Sequence, residues 1–315
     1  MSAKLKCAVI GVGNMGKHHA RIYSQIAQLV SISDVDEQTG KNIGKKYNIH
    51  YYQDFRKMLS SETIDAVSVV VPTKYHEEVT VYCLRKHIPT LVEKPISNSV
   101  QSATRMVEEA KKQKVLLMVG HIERFNPVVA KLKKLVDQGT FGRIINLNSI
   151  RVGINPPPTP NSNVAIDLAI HDIDIFNYLL GETPRKSKVV REKIFNKNIA
   201  DSASFLLRYK NATGIIQTNW ITPIKIRKIY ITGTGGFAEL DYISQKLILY
   251  KRYPNKIAVD NFQELVSLSS ILKKQVYISK KEPLRQELTH FLSLIQKKQI
   301  IYPDFAVKAL RIALT

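Results

Sequence analysis

Cysteine is scarce in this chain. Cys7 and Cys83 are the only two among 315 residues, and neither belongs to a CxxC or a Cys/His ligand spacing. This excludes a disulfide framework and favours buried thiols in a reducing compartment. No apolar run approaches the roughly 18 residues needed to cross a bilayer. The N-terminus, MSAKLKCAVIGVG, leads straight into a strand pattern without a cleavage site. We therefore expect a cytoplasmic protein with no membrane partner.

Negative charge is also in short supply. The chain has 47 Lys and Arg against 26 Asp and Glu, a formal net charge of +21. A nucleic-acid site would cluster its basic residues, yet doublets such as Lys45–Lys46, Lys133–Lys134 and Lys273–Lys274 are scattered from end to end. We therefore expect no nucleic-acid partner, and a Lys-rich composition also suits an anionic small substrate. A nucleic-acid binder is the alternative, and its affinity would fall steeply with salt.

What the chain does contain is a globular balance, with 44% hydrophobic and 23% charged residues and enough length for about two domains. The stretch CAVIGVGNMGKHHA places a strand, a glycine-rich turn and a helix start in that order. A GxGxxG pattern alone is a weak signal, but here a second strand, LVSISD, follows the helix and ends in an acid. We expect the turn to contact a dinucleotide through Gly11, Gly13, Asn14, Met15 and Gly16.

Each glycine of this turn has a physical reason. Gly11 permits the tight turn, Gly13 lets the backbone approach a pyrophosphate, and Gly16 lets the helix pack close to the strand. The free N–H groups of the helix start favour the anion. Asp34 follows at about the spacing expected for a carboxylate that binds the adenosine ribose and repels a 2′-phosphate. No arginine follows it, so the sequence predicts NAD as the cofactor rather than NADP.

Strands and helices continue to alternate up to residue 120. AVSVVVP (66–72) is a nearly continuous β-branched run, as expected for a strand buried on both faces. A helix through His76–Lys86, the strand PTLVEKP, a helix over 99–113 and the strand VLLMVG follow. This order predicts an α/β fold whose first domain, residues 1–121, is a doubly wound parallel Rossmann sheet.

Beyond HIERFNP the pattern changes to short strands separated by turns. RIINLNSIRVG, ASFLLRYKN, GIIQTNW, KIRKIYITGT, AELDYIS and KLILYKRY predict one open-faced, mostly antiparallel sheet. VAIDLAIHDIDIFNYLLG predicts the main helix of this half, ended by Gly181. We assign residues 122–315 to a second, α+β domain for substrate binding and oligomerisation. NPPPTPNSN (155–163) is interpreted as a proline-rich rim around a site.

Two further features concern assembly and the tail. A broad uncovered sheet face is unlikely to stay exposed to water, so we expect a homodimer or homotetramer formed through the C-terminal sheet. The tail predicts an amphipathic helix, with its apolar face formed by Leu284, Leu288, Phe291, Leu292 and Ile295.

In their order and spacing, GVGNMG, VPTKYH, VEKP, GHIERFNP and DLAIHDID resemble the Gfo/Idh/MocA family of sugar oxidoreductases. The resemblance spans essentially the whole chain and implies NAD-dependent oxidation of a sugar hydroxyl to a ketone. GHIERFNP, DLAIHDID, QTNWITP and LDYISQ further resemble members that oxidise C3 of UDP-N-acetylglucosamine, so we expect a nucleotide-sugar substrate. Oxidation of a free sugar or inositol, and a non-catalytic NAD-dependent sensor, stay open as alternatives.

The resemblance also assigns residues of the first half. It implies that Lys94 reaches the sugar hydroxyl and also contacts the cofactor, that Glu93 lies near the nicotinamide, and that a cis bond precedes Pro95. The alternative for Lys94 is a solvent-facing partner of Glu93. Contacts to the nicotinamide or its ribose are implied for Pro72, Thr73 and His76.

In the second half, Asp167 and His171 are four residues apart and share a helix face. A neutral imidazole can accept a proton near pH 7, so we expect His171 to be the base and Lys94 a relay and polariser, with the reverse assignment open. Asp167 would orient sugar hydroxyls or support the base. We expect no metal, because Asp172 and Asp174 point away from this face.

Other polar residues are candidates for substrate contact. Arg124 and Asn126, in RFNP, would touch the sugar or fix the hinge between domains. Arg151, Trp220 and Arg227 are candidates for contacting a diphosphate or uracil. By resemblance, the final ALRIALT is the beginning of a helix that relatives extend, so we expect the natural chain to continue past Thr315.

Overall fold

The computed structural model describes residues 4–154, 163–195, 197–251, 263 and 273–315. The predicted proline-rich rim falls on residues 155–162, outside this range, apart from Asn163. Two compact units are present: Met1–Ile122 with Glu282–Arg311, and Glu123–Lys281 with Ile312–Thr315. The predicted division differs from these units at Ile122 and at residues 282–311, which the sequence assigned to the second domain.

The first unit contains a parallel sheet of six strands in the order β3-β2-β1-β4-β5-β6. Its strands are β1 (Lys6–Ile10), β2 (Gln28–Ser33), β3 (His50–Tyr52), β4 (Ala66–Val69), β5 (Thr90–Glu93) and β6 (Leu117–Gly120). The helices up to β6 are α1 (Gly16–Ile26), α2 (Glu37–Tyr47), α3 (Phe55–Ser61), α4 (His76–Arg85) and α5 (Val100–Gln113). The strand order reverses between β1 and β4, where open α/β sheets bind ligands beyond the carboxyl ends of the strands.

The second unit contains an eight-stranded sheet in the order β14-β13-β12-β11-β7-β10-β9-β8. Its strands are β7 (Ile144–Val152), β8 (Lys186–Glu192), β9 (Ser202–Arg208), β10 (Thr213–Asn219), β11 (Ile226–Gly233), β12 (Gly236–Asp241), β13 (Lys246–Lys251) and β14 (Lys273–Val276). Strands β7 and β10 pair in parallel, and the other neighbours pair antiparallel. The predicted fold class is therefore confirmed.

One face of this second sheet is covered by α6 (Pro127–Asp137) and α7 (Ile170–Leu180). Strand β9 shows the resulting alternation, since Ala203, Phe205 and Leu207 are buried and the residues between them are exposed. On the opposite face Leu206 and Ile215 remain 47% and 39% exposed. The predicted self-association through this face and the predicted cytoplasmic location both stay predictions.

The C-terminal segment adds α8 (Pro283–Gln296) and α9 (Asp304–Leu314). Helix α8 packs on α1 through the predicted apolar face, on which Leu288 and Phe291 are completely buried. The backbone N–H of Leu117 in β6 donates to the carbonyl of Ile301, 3.3 Å away. These contacts explain why residues 282–311 lie in the first unit, a long-range packing that the local pattern does not reveal.

Two kinds of feature are absent from the described residues. None of their helices combines the length and apolar character needed to span a membrane. None of their His, Cys, Asp and Glu side chains forms a group of three or more that could hold a metal ion. Both cysteines are buried, and burial raises the pKa of each thiol to about 12.

Candidate functional site

The glycine turn after β1 has the geometry that a dinucleotide requires. Gly11 has a φ of +85°, and a Cβ there would lie 2.6 Å from the carbonyl oxygen of Val70. A Cβ on Gly16 would lie 1.9 Å from the carbonyl oxygen of Gly11, so only glycine allows α1 to start this close to the strand. Around Gly13 there is open space, which leaves the backbone free for close approach by a pyrophosphate. The geometry of these three glycines therefore fits the pyrophosphate of NAD.

The rest of the turn faces solvent at the start of α1. Asn14 and Met15 are exposed, and Met15 is the N-cap residue of the helix. The N–H groups of a first helical turn lack acceptors within the helix and attract anions. The two residues are therefore placed where the sequence expected them, at the positive end of a helix, and their contact with the cofactor stays a prediction.

Asp34 follows β2 and is held in place by backbone amides. Its Oδ2 accepts from the N–H of Val12 at 2.7 Å, and its Oδ1 accepts from the N–H of Asp36 at 2.9 Å. Each carboxylate oxygen can accept a second hydrogen bond. Asp34 is half-buried, so a ribose hydroxyl can reach the remaining lone pairs, and its position beside the glycine turn fits an adenosine ribose.

The turns after β4 and β5 are joined by His76. Its ring nitrogens lie 2.9 Å from the carbonyl oxygen of Pro95 and 2.8 Å from that of Val71. The imidazole is only 1% exposed, and burial lowers its pKa despite these carbonyl contacts. The sequence assigned His76 to cofactor contact, but both ring nitrogens face backbone carbonyls, so the geometry favours a role in holding the two turns together. Thr73 is half-buried and Pro72 exposed beside it.

Glu93 and Lys94 form the corner after β5, and the Lys94–Pro95 bond is cis, as the resemblance implied. Glu93 is buried, accepting from the Lys94 N–H at 3.0 Å with Oε2 and lying 3.0 Å from Nε2 of His19 with Oε1. Burial would raise the pKa of Glu93, but the His19 contact and the Lys94 N–H bring it below its ordinary value. The Lys94 side chain is half-buried.

Sequence reasoning missed two buried groups behind this corner, His19 and Glu287. His19 lies four residues before Tyr23, on the buried face of α1, and Glu287 lies between Leu284 and Leu288 on the buried face of α8. Helical spacing could therefore have revealed both. Glu287 is completely buried, and neither carboxylate oxygen has a hydrogen-bond partner among the described residues.

Glu287 gives the protein a predicted pH dependence. Burial, and then the charge of Glu93, raise the pKa of Glu287 well above its ordinary value. The folded chain therefore holds a proton that the unfolded chain releases, and stability falls as pH rises from the ordinary glutamate pKa towards the folded one. The slope from one such group reaches about 1.4 kcal/mol per pH unit. We expect Glu287→Gln to remove this contribution.

Thermal unfolding of wild type and Glu287→Gln between pH 5 and 9 measures the effect. The gap in stability should widen with pH in favour of Glu287→Gln. The matched control is Glu282→Gln, which removes a partly exposed carboxylate of the same segment and should run parallel to wild type. Parallel curves for Glu287→Gln and wild type would show that Glu287 is ionised in the folded protein.

In the second unit, the predicted helix 164–181 begins with a π-helical turn over Ala165–Ala169 and continues as α7. The Ile170 N–H reaches the carbonyl of Ala165, which widens the turn. Such turns are rare in proteins overall, and those that occur are often found at functional sites. Asp167 lies within it and is half-buried, while His171 in the first turn of α7 is 8% exposed.

The structure brings Asp167 and Trp220 together. Trp220 follows β10 and is 9% exposed, and its indole Nε1–H donates to Asp167 Oδ2 at 3.2 Å. The side chain of Asn219 accepts from the N–H groups of Ile221 and Thr222, which fixes the turn that carries the indole. Two predicted substrate residues from distant parts of the sequence thus form one cluster.

Arg151 is bound by carboxylates within the second unit. It is 1% exposed and donates through Nε and Nη2 to the buried Asp172, at 2.7 and 3.1 Å, and through Nη1 to Glu123 at 2.9 Å. Although burial opposes its charge, Asp172 and Glu123 raise the pKa of Arg151 well above its ordinary value. The sequence assigned Arg151 to substrate, but a guanidinium engaged on every edge favours a structural function.

Arg124 and Asn126 are also engaged within the second unit. Arg124 donates to both carboxylate oxygens of Asp174, at 2.6 and 2.7 Å. Asn126 is 2% exposed, caps α6 by accepting from the Val128 N–H, and donates to the carbonyl of Tyr242. Of the two functions that the sequence left open, sugar contact or fixing the chain, these contacts favour the second.

Comparison with known proteins agrees with this geometry. The family description "Oxidoreductase family, NAD-binding Rossmann fold" matches residues 5–121, and the Gfo/Idh/MocA C-terminal domain matches residues 129–239. UDP-N-acetylglucosamine 3-dehydrogenase of Acidithiobacillus ferrooxidans is 24% identical over 95% of this chain and 91% of that protein. Myo-inositol 2-dehydrogenase of Thermotoga maritima is 32% identical over 68% of each chain.

Solved structures show the same fold. The crystallised UDP-N-acetylglucosamine 3-dehydrogenase of A. ferrooxidans superimposes with a TM-score of 0.86 at 24% identity, covering 98% of this chain and 95% of that one. The nucleotide-binding turn and the two sheets define an oxidoreductase that uses NAD. The chain belongs to the Gfo/Idh/MocA family. The predicted family, enzyme class and cofactor are thereby confirmed.

Proposed function

We propose that this protein oxidises the 3-hydroxyl of UDP-N-acetylglucosamine to a ketone, with NAD as the hydride acceptor. The observation that carries the substrate is the similarity to the A. ferrooxidans enzyme of that activity, which extends over 95% of this chain and 91% of the relative. A similarity of that extent includes the second unit, where Asp167, His171 and Trp220 lie.

The proposed chemistry divides between two residues. Bound NAD supplies a nicotinamide carbon that accepts hydride from the carbon bearing the hydroxyl. The hydroxyl must lose its proton in the same reaction, and we assign that proton to His171, whose neutral imidazole can accept it. Lys94 polarises the hydroxyl oxygen and relays the proton, with the reverse assignment as the alternative.

Asp167 and Glu93 support these two groups. The Trp220 N–H holds one carboxylate oxygen of Asp167, which leaves the other able to orient a sugar hydroxyl. Glu93 lies under Lys94 and accepts its backbone N–H. Its low pKa keeps it anionic near neutral pH, and a fixed negative charge there favours an oxidised, positively charged nicotinamide.

A second candidate function is oxidation of inositol. The observation that favours it is the 32% identity with myo-inositol 2-dehydrogenase, higher than with the UDP-sugar enzyme, although over 68% of the chain. The two functions share NAD and the same catalytic residues, and differ in the substrate's charge: inositol is neutral, whereas the nucleotide sugar carries a diphosphate.

A substrate panel separates the two. Purified protein is given UDP-N-acetylglucosamine, N-acetylglucosamine or myo-inositol with NAD or NADP, and reduced nicotinamide is followed by absorbance. We expect turnover with UDP-N-acetylglucosamine and NAD. Preference for myo-inositol would favour the second candidate. Comparable rates with NADP would contradict the role assigned to Asp34, which is to bind the adenosine ribose and repel a 2′-phosphate. No turnover with any sugar, despite NAD binding, would favour a sensor.

A further inference from the structure

Arg227 is an unexplained cation on the covered face of the second sheet. It lies near the start of β11, directly opposite Arg151 on β7, so both side chains project from the same face of the sheet. Arg151 is engaged by Asp172 and Glu123. The Arg227 guanidinium, by contrast, is half-buried, and it has no hydrogen bond or ion pair with any described residue.

The charge of Arg227 is poorly compensated. Burial, followed by repulsion from Arg151, lowers its pKa, while Glu123, Asp172 and Asp167 oppose this shift from a distance. Glu123 and Asp172 already bind Arg151, and Asp167 accepts from Trp220. A partly desolvated cation without a partner is destabilising, and an anion bound beside it would remove that penalty.

The neighbourhood of Arg227 is that of the candidate substrate residues. Val152 at the end of β7 pairs with Asn219 at the end of β10 on one side and with Ile226 at the start of β11 on the other. Trp220, which directly follows Asn219, therefore lies at the same end of the sheet as Arg227. Trp220 in turn contacts Asp167. The Arg227 guanidinium and the proposed sugar-orienting carboxylate of Asp167 are thus close together in one unit.

The geometry points to Arg227 as the residue that binds the diphosphate of a nucleotide-sugar substrate. A guanidinium presents paired N–H donors that match two phosphate oxygens, and such charge-assisted contacts are among the strongest hydrogen bonds in proteins. Because inositol has no phosphate, Arg227 would also determine the preference for a nucleotide sugar. This inference rests on the proposed function and names the residue that recognises the charged part of that substrate.

Binding of UDP to the full chain tests the inference. Isothermal titration calorimetry with wild type and Arg227→Gln should show UDP binding weakened about tenfold to a hundredfold, the range for a lost charged hydrogen bond. The matched control is Lys228→Gln, which removes the same charge from the next residue, on the opposite face and paired with Glu239. It should bind UDP as wild type does.

Thermal unfolding of the same variants separates binding from folding. Because the Arg227 side chain has no partner among the described residues, Arg227→Gln should unfold at or above the wild-type temperature. Arg227→Lys should recover part of the UDP affinity. Equal UDP affinity for Arg227→Gln and wild type, or no UDP binding by wild type at millimolar concentration, would overturn the inference.

The inference and the proposed function can fail separately. If wild type binds UDP through Arg227 but does not oxidise UDP-N-acetylglucosamine, the anion site stands and the reaction is wrong. If wild type oxidises that substrate and Arg227→Gln has an unchanged KM, the reaction stands and Arg227 does not bind the diphosphate.

Discussion

Lys94→Ala is expected to lose at least about 100-fold in kcat with UDP-N-acetylglucosamine while still binding NAD. Proton transfer and polarisation by a positioned side chain contribute about 10²- to 10⁴-fold. The glycine turn and Asp34, which we assign to the pyrophosphate and the adenosine ribose, are unchanged in this variant, so cofactor affinity should change little. Steady-state rates and NAD titration by protein fluorescence measure the two quantities separately.

The control for Lys94→Ala is Lys112→Ala, which removes an exposed lysine from α5. This substitution should leave both kcat and NAD affinity as in wild type. If Lys94→Ala retains more than about a tenth of the wild-type rate, the result would favour the alternative interpretation, in which Lys94 is a solvent-facing partner of Glu93.

Arg151→Met is expected to destabilise the second unit by about 3–5 kcal/mol, the usual penalty when one partner of a buried ion pair is removed. Asp172 is completely buried and would lose both hydrogen bonds from the guanidinium, which leaves its carboxylate with the Tyr242 hydroxyl, 3.3 Å away. Trp220 is the only tryptophan in the chain and lies in this unit, so its fluorescence during urea unfolding reports the relevant transition.

Arg208→Met provides the comparison. Arg208 is exposed on β9, and its guanidinium donates to the hydroxyl of Thr213 at 3.3 Å. Its removal should change stability by less than about 0.5 kcal/mol. A variant Arg151→Met as stable as wild type, but with a raised KM for UDP-N-acetylglucosamine, would instead support the substrate contact that the sequence predicted.

Local patterns were sufficient to predict much of the first unit. The glycines at 11, 13 and 16, the buried strand at 66–69 and the acid at 34 each have a meaning set by near neighbours. The structure accordingly has φ of +85° at Gly11 and a carboxylate of Asp34 held beside the turn. The alternating strands of the second half likewise indicated a sheet covered on one face.

What the sequence could not provide was the partner of each polar side chain. Arg151 and Arg227 are the same residue type, yet among the described residues Arg151 binds two carboxylates and Arg227 binds none. That difference depends on which strands are neighbours. Because β7 pairs with β11, the two arginines lie beside the same carboxylates, and Asp172 and Glu123 bind Arg151. Nor could the sequence show that the ring nitrogens of His76 lie against two backbone carbonyls.

The placement of residues 282–311 depended on the same kind of information. The amphipathic pattern of α8 was readable, but its partner was not, because any apolar surface of the chain satisfies such a pattern. The structure packs it on α1, where Glu287 joins Glu93 and His19 in a buried polar cluster. A buried carboxylate on an otherwise apolar helix face was the one signal of this arrangement.

The most direct test of the account follows the hydride itself. UDP-N-acetylglucosamine carrying deuterium at C3 is incubated with the protein and NAD, and the reduced cofactor is analysed by mass spectrometry. We predict one deuterium in each reduced nicotinamide and none remaining in the oxidised sugar. Deuterium retained by the sugar, or released to water while the cofactor stays oxidised, would contradict dehydrogenation at that carbon.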